Sequence, residues 1–177
     1  AGMGKWHNAP EWEMGPTGPF DRWPTGLGFE YYYGFMGGEC NQYDPPLFEN
    51  TRPVEAPYRP EEGYILDKDL ADRAIWWLRQ STSMDPERPF FLWYTPGTAH
   101  SPLQAPPEWI ERYRNQFDYG WDRQREITLE RQMALGIVPQ GTKLTPRPSE
   151  IDAWSSLTSG QKKISARYQE AFAGALS

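Results

Sequence analysis

The fold is decided by one short apolar run, Pro89-Phe90-Phe91-Leu92-Trp93-Tyr94-Thr95, which has prolines on both sides. A run of this length without polar alternation is typical of a strand buried on both faces, as in a parallel sheet. Before it, a leucine or alanine stands at every fourth position from Leu66 to Leu78, which predicts an amphipathic helix over residues 68–80. A helix followed by a buried strand is half of a βαβ unit. We therefore expect an α/β fold with a mostly parallel buried sheet and flanking helices.

The loop after the predicted strand contains one of the chain's two histidines, His100, within Pro96-Gly97-Thr98-Ala99-His100-Ser101-Pro102. In open α/β sheets, ligands bind at the carboxyl ends of the strands. His100 therefore lies where a site residue is expected, although a single loop histidine is also common as an ordinary surface group.

The other histidine stands near the start of the chain, in Gly4-Lys5-Trp6-His7. A lysine ammonium suits a phosphate or sulfate oxygen, and a histidine can act as acid, base or hydrogen-bond donor near neutral pH. A spacing of two places both side chains on one side of an extended segment. On spacing alone, a solvated loop remains the simpler interpretation. The scarcity of histidine in this chain shifts the balance modestly toward a site.

Composition excludes several functional classes. The net charge of -6 and a pI near 5.0, with no basic cluster, argue against a nucleic-acid or anionic membrane partner. No apolar run approaches the roughly 20 residues of a membrane span. The single cysteine, Cys40, excludes an intrachain disulfide, and no zinc-ligand spacing surrounds it. The acidic residues at 67–72 lack the glycine and distant glutamate of a calcium loop, so no metal site is predicted.

The remaining chain alternates long loops with helices. Proline, glycine and aromatic residues dominate residues 9–28 and 43–64, which predicts ordered loops pinned by aromatic side chains. Helices are predicted over residues 107–115 and 119–135, and a last one after the capping-box pair Thr158 and Gln161. The apolar face expected for that last helix consists of Ile164, Tyr168, Phe172 and Ala175.

The nine tryptophans and ten tyrosines allow two interpretations. Exposed aromatic faces stack on sugars, which would make this a carbohydrate-binding chain. Aromatic residues on elements expected to pack are more simply explained as core and loop anchors.

Motifs along essentially the whole chain occur in a specific order. They are Gly4-Lys5-Trp6-His7, Gly15-Pro16-Thr17-Gly18-Pro19-Phe20-Asp21-Arg22-Trp23-Pro24, Gly28-Phe29, Tyr33-Gly34-Phe35, Gly37-Gly38-Glu39, Asp69-Leu70-Ala71-Asp72-Arg73-Ala74-Ile75, Arg88-Pro89-Phe90-Phe91-Leu92, Pro96-Gly97-Thr98-Ala99-His100-Ser101-Pro102 and Lys143-Leu144-Thr145-Pro146-Arg147-Pro148. In this order they resemble the middle of an arylsulfatase of the type I, formylglycine-dependent sulfatase family.

The resemblance implies an alkaline-phosphatase-like α/β fold and hydrolysis of small-molecule sulfate esters by a formylglycine nucleophile with calcium. By position, Lys5 resembles the lysine that touches both the sulfate and the formylglycine. His7 resembles the histidine hydrogen-bonded to the formylglycine hydroxyl. His100 resembles the histidine that contacts the sulfate ester and protonates the departing oxygen. These roles agree with the general chemistry of cations and acids at a transferring anionic group.

The sequence departs from the family pattern at the nucleophile and the metal. The Cys-x-Pro-x-Arg motif that becomes formylglycine is absent, and Cys40, in Glu39-Cys40-Asn41-Gln42, does not substitute for it. The family's calcium-binding aspartates, its Asp-Asn pair and its second sulfate-binding lysine are absent too. We therefore expect residues 1–177 to be an internal segment of a single sulfatase catalytic domain, inactive on its own.

Two alternatives remain at this point. A phosphonate or phosphate-diester hydrolase of the same superfamily can use similar cationic residues, because both substrate classes carry one negative charge at the reacting centre. The other alternative is a non-catalytic segment whose aromatic side chains hold a sugar.

Overall fold

The computed structural model describes all 177 residues, which form two compact units, Ala1–Gln104 and Ala105–Ser177. The first unit contains a five-stranded sheet and one long helix, and the second is helical.

The sheet of the first unit is mixed. Its strands are β1 (Gly2–Lys5), β2 (Tyr32–Phe35), β3 (Leu47–Glu49), β4 (Arg52–Val54) and β5 (Trp93–Thr95), in the spatial order β4-β3-β2-β1-β5. β1 pairs in parallel with both β2 and β5, and β3 and β4 extend the sheet as an antiparallel hairpin. The predicted α/β fold with parallel strands at its centre is confirmed.

The strand buried on both faces is β2 rather than the predicted 89–95 run. Tyr33 and Phe35 pack in a core cluster on the helix side, whereas Tyr32 packs with Trp6 and Trp23 in a second cluster.

The expectation that residues 89–95 form a doubly buried strand is wrong. Only Trp93–Thr95 is a strand, Phe91 is 66 % exposed and Trp93 is 41 % exposed. The physical reason is position: β5 pairs with β1 alone and is the edge of the sheet, so it lacks the second neighbour that β1 and β2 have.

The predicted amphipathic helix is present as α1, Leu66–Met84, and is longer than expected at both ends. Leu66, Leu70 and Ala74 bury one face in the first core cluster. Acidic residues in its first turn, Asp67 and Asp69, complement the positive end of the helix dipole. Asp69 is buried and accepts hydrogen bonds from the hydroxyls of Tyr33 (2.6 Å) and Tyr64 (3.0 Å).

The second unit consists of α2 (Pro107–Glu111), α3 (Gly120–Ala134) and α4 (Ser159–Ala175). The capping box that Thr158 and Gln161 predict is present at the start of α4. The predicted apolar face of this helix is wrong, because Ile164, Tyr168 and Phe172 are exposed. The buried side is composed of Ala166, Glu170, Ala171 and Gly174. Small residues let α2 approach closely there, and Glu170 accepts a hydrogen bond from the Asn115 amide at 2.8 Å. No helix of either unit combines the length and apolar character that a membrane span requires.

Candidate functional site at the carboxyl edge of the parallel strands

Three parallel strands end on the same side of the sheet, and each histidine follows one of them. β1 ends at Lys5 with His7 two residues later, β5 ends at Thr95 with His100 beyond it, and β2 ends at Phe35. Since the carboxyl ends of parallel strands face one way, the loops that follow all three strands lie on this edge.

The junction beneath Lys5 requires a residue without a side chain. Gly4 pairs with both Gly34 of β2 and Thr95 of β5, and its φ of 105° lies in the left-handed region. A Cβ atom on Gly4 would lie 2.1 Å from the Thr95 carbonyl oxygen. The Thr95 hydroxyl adds a 2.8 Å hydrogen bond to the Lys5 carbonyl. The backbones of the three strands therefore pack closely together at the residue just before the lysine.

Lys5 and Trp6 point in opposite directions from the strand. Trp6 is 8 % exposed, packs edge-on against Phe29 and Tyr32, and donates its indole N–H to the Arg22 carbonyl at 2.8 Å. Alternation along the strand directs Lys5 to the other side, where it is partly exposed. Its ammonium makes no hydrogen bond or ion pair with the chain, so its charge is available to an anion.

His7 is held by packing against the loop after β2. Its amide donates to the Met36 carbonyl at 3.0 Å, and its φ is 52°. The backbone is therefore no longer extended at this residue, and strand alternation does not set the side on which the ring lies, contrary to the prediction for Lys5 and His7. A Cβ on Gly38 would lie 2.8 Å from the His7 Cε1 atom, so the ring rests on the bare backbone of Gly38.

His100 is held by hydrogen bonds. Its amide donates to the Gly97 carbonyl at 2.9 Å. Its Nδ1 atom lies 3.1 Å from the Glu39 carboxylate and 3.1 Å from the Ser101 carbonyl. Both partners are acceptors, so Nδ1 carries a proton, and Nε2 is the nitrogen left to meet a ligand.

The loop after β2 brings the two histidines together, because Gly38 contacts His7 and the next residue, Glu39, contacts His100. Sequence reasoning did not identify Glu39 as a site residue. A glutamate directly after two glycines that follow a strand was the available signal. Its significance depends on β2 lying beside β1, which the sequence did not show.

Two features of the family resemblance, an activated cysteine and a cluster of metal ligands, do not occur among the described residues. Cys40 is buried, and burial raises the pKa of its thiol to about 12, so it is a poor candidate for the reacting group. No group of three or more histidine, cysteine, aspartate or glutamate side chains is arranged to hold a metal ion. The residues present therefore do not fit a formylglycine or a calcium ion.

A cavity of about 630 Å³ lies at the opposite end of the strands. It is lined mainly by aromatic and aliphatic side chains near the amino ends of the strands, among them Phe29, Trp77, Phe90 and Phe91. None of Lys5, His7 and His100 borders it. The cavity is thus separate from the lysine and the two histidines, and the candidate site is the one that these three side chains form.

Known proteins resemble this chain in sequence and in fold. The sulfatase family model matches residues 1–171. An arylsulfatase of Klebsiella aerogenes is 29 % identical over 178 residues, and an uncharacterized sulfatase of Schizosaccharomyces pombe is 30 % identical over 189 residues. A crystal structure of Ps i-CgsB matches 64 % of this chain and 27 % of its own with a TM-score of 0.50 at 23 % identity, which shows a shared fold.

The matches cover most of this chain and a minor part of its relatives. Each of the two alignments covers 96 % of the chain but only 36 % and 31 % of the respective relative. The chain thus spans about a third of the length of these proteins. Because the family model extends over nearly all of its residues, the chain belongs to the sulfatase family.

Proposed function

We propose that this chain supplies sulfate-binding and acid–base side chains to the active site of a sulfatase that hydrolyses sulfate monoesters. The observation that carries the proposal is the convergence of Lys5, His7 and His100 on one edge of the sheet, joined by Gly38 and Glu39, in a chain of the sulfatase family.

Each side chain has a role that its surroundings support. Lys5 presents an unpaired ammonium to the sulfate oxygens, where a fixed cation stabilises charge that develops in the transition state. His100, held at Nδ1 by Glu39, presents Nε2 to the ester oxygen. In its doubly protonated form it gives the Nε2 proton to that oxygen as the bond to sulfur breaks, and the ring is left neutral with its proton on Nδ1. His7 lies beside Gly38 at the same ends of the strands, and its proposed role is to hydrogen-bond to the hydroxyl that attacks sulfur.

We further propose that formylglycine and calcium would be held by residues outside this chain, where the first would supply an attacking hydroxyl and the second a positive charge for the sulfate oxygens. The buried Cys40 and the absence of a metal-binding cluster support this division. The 177 residues alone are then expected to form an internal segment of a catalytic domain without turnover of their own.

The test is hydrolysis of phenyl sulfate by the full-length protein and by its Lys5→Ala, His7→Gln and His100→Gln variants. We expect each substitution to lower kcat/KM by about 10²- to 10⁴-fold, because each removes charge stabilisation or proton transfer. Lys163→Ala, which removes an exposed lysine of α4, is the matched control and should change little. No sulfate hydrolysis by the wild type, or full activity in all three variants, contradicts the proposal. Faster turnover of an aryl phosphonate than of the sulfate identifies a phosphonate hydrolase instead.

A further inference from the structure

The underside of the His100 loop rests on the first turn of α1. The Thr98 hydroxyl donates a hydrogen bond to Oδ2 of Asp67, the second residue of that helix. The Tyr94 hydroxyl, from β5, donates to the backbone carbonyl of Asp67 at 3.3 Å. The start of the helix is thus tied both to the strand before the loop and to the loop itself.

Asp67 occupies an unusual environment for a carboxylate. Its Oδ1 atom is buried and has no hydrogen-bond partner. Burial raises the pKa of this carboxyl group to about 6. The groups that face it are the buried Cys40 thiol from the loop after β2, the Tyr94 hydroxyl from β5 and the Thr98 hydroxyl. No cation offsets its burial, and the Thr98 hydroxyl is the hydrogen-bond partner of its Oδ2 atom.

A second buried side chain supports the same loop next to Thr98. Gln42 is 3 % exposed, and a Cβ on Gly97 would lie 3.0 Å from its Nε2 atom. The carbonyl of Gly97 in turn accepts the His100 amide. The segment from Gly97 to His100 is therefore supported at two consecutive residues. Gln42 packs against Gly97, and Asp67 accepts a hydrogen bond from Thr98.

We propose that Asp67 is a positioning residue for the reaction: through Thr98 it fixes the loop that sets the His100 imidazole against Glu39. The effect on turnover rests on the proposed function, whereas the effect on the loop rests on the contacts of Thr98 alone. Loss of the hydrogen bond between them lets the loop move and misaligns Nε2 without removing any group that touches the ester.

The first test compares two esters that differ in how much they need an acid. Phenyl sulfate has a poor leaving group, whereas the 4-nitrophenolate of 4-nitrophenyl sulfate leaves readily without a proton. In the full-length protein, we expect Thr98→Val to lower kcat about 10-fold for phenyl sulfate and less than about 2-fold for 4-nitrophenyl sulfate. Thr98→Ser keeps the hydroxyl and is expected to behave as the wild type.

Two further variants separate positioning from stability. Asp67→Ala removes the oxygen that accepts from Thr98 and should show the same selective loss, which keeps the test available if Thr98→Val folds poorly. Asp72→Ala removes an exposed carboxylate from the same helix and should leave both esters unaffected. Equal losses for the two esters, no loss, or a Thr98→Ser enzyme as impaired as Thr98→Val would overturn the proposal.

A measurement independent of turnover distinguishes this inference from the proposed function. Hydrogen–deuterium exchange of the amides at 98–101 should be faster in Thr98→Val and unchanged in Thr98→Ser. If the wild type hydrolyses neither ester, the proposed function fails. Exchange then decides the inference alone: selective acceleration supports the role of Asp67 in holding the loop, and unchanged exchange overturns it.

Discussion

The two loops that carry the histidines are supported in different ways. The loop after β1 starts from Trp6, an indole buried among Phe29 and Tyr32, and its backbone continues the hydrogen bonds to β2. The loop after β5 is held mainly by polar side chains, from Thr98 to Asp67 and from His100 to Glu39.

The difference separates a rigid support from an adjustable one. Apolar packing and backbone hydrogen bonds do not change with pH, and Lys5 and His7 are fixed by them. The support of His100 includes a carboxyl group that titrates at about pH 6 and an exposed Glu39. We therefore expect His7 to depend on core packing and His100 to depend on polar contacts and pH.

The largest expected effect comes from the junction that both loops share. Gly4→Ala places a Cβ 2.1 Å from the Thr95 carbonyl and forces a left-handed φ on alanine. We expect the free energy of unfolding to fall by more than about 4 kcal/mol. Urea denaturation measures this loss. Gly15→Ala, where nothing lies within 4 Å of the added Cβ, is the matched control, and an equally stable Gly4→Ala protein contradicts the described convergence.

The rigid support alone is tested by Trp6→Ala. Removing this buried indole should lower the free energy of unfolding by about 3 to 5 kcal/mol, because a large cavity opens beside Tyr32 and Phe29. Thermal and urea unfolding give the value. Trp12, which is 81 % exposed, provides the comparison: Trp12→Ala should change stability by less than about 0.5 kcal/mol. Similar losses in the two variants argue against Trp6 as the anchor.

The contact of His7 is tested by Gly38→Ala. A methyl group there collides with the imidazole, so the ring must move while the fold is retained. We expect kcat/KM of the full-length protein for 4-nitrophenyl sulfate to fall about 10²-fold. Gly37→Ala is the neighbouring control, since its nearest contact would be at an ordinary 3.5 Å. Unchanged activity of Gly38→Ala means that the ring position is irrelevant to turnover.

The contact of His100 is tested by Glu39→Gln. The Ser101 carbonyl still accepts from Nδ1, so the tautomer is preserved and only the orientation loosens. We expect a loss of about 10-fold in kcat for phenyl sulfate, far below the roughly 10⁴-fold loss that follows a wrong tautomer. Glu61→Gln, at an exposed position, serves as the control. A loss shared equally by 4-nitrophenyl sulfate argues against a role for Glu39 through His100.

The smallest expected effect is a pH dependence of stability from Asp67. Because burial raises the pKa of this acid from 3.8 to about 6, the native state binds the proton more tightly than the unfolded chain does. The ionised form therefore lowers stability above about pH 6, and that loss is relieved as the pH falls toward 4. We expect the stability of Asp67→Asn relative to the wild type to be greater at pH 7 than at pH 4.5 by urea unfolding. A difference that does not vary with pH contradicts the burial of the charge.

The features that the sequence predicted correctly are set by residues close together along the chain. The periodic leucines gave α1, the capping box gave the start of α4, and the loop after a strand gave the place of His100. These signals depend on neighbours a few residues apart. The predicted fold class followed from the order of helix and strand.

What the sequence did not predict depends on which elements become neighbours. β5 is apolar yet lies at the sheet edge, and β2 is central because β1 and β3 pair with it on either side. On α4, small residues at 166, 171 and 174 provide a closer fit to a neighbouring helix than the larger apolar stripe, so the smaller side chains are buried. Glu39 became recognisable only when β2 was placed beside β1.

Gly38 and Glu39, which contact the two histidines, are joined by one peptide bond. Their Cα atoms are therefore held about 3.8 Å apart, whatever the strands do. The loop after β2, rather than either strand that precedes a histidine, thus sets the spacing between the two backbone positions that meet the imidazoles. A single residue inserted between 38 and 39 would change that spacing while β1 and β5 stayed in register.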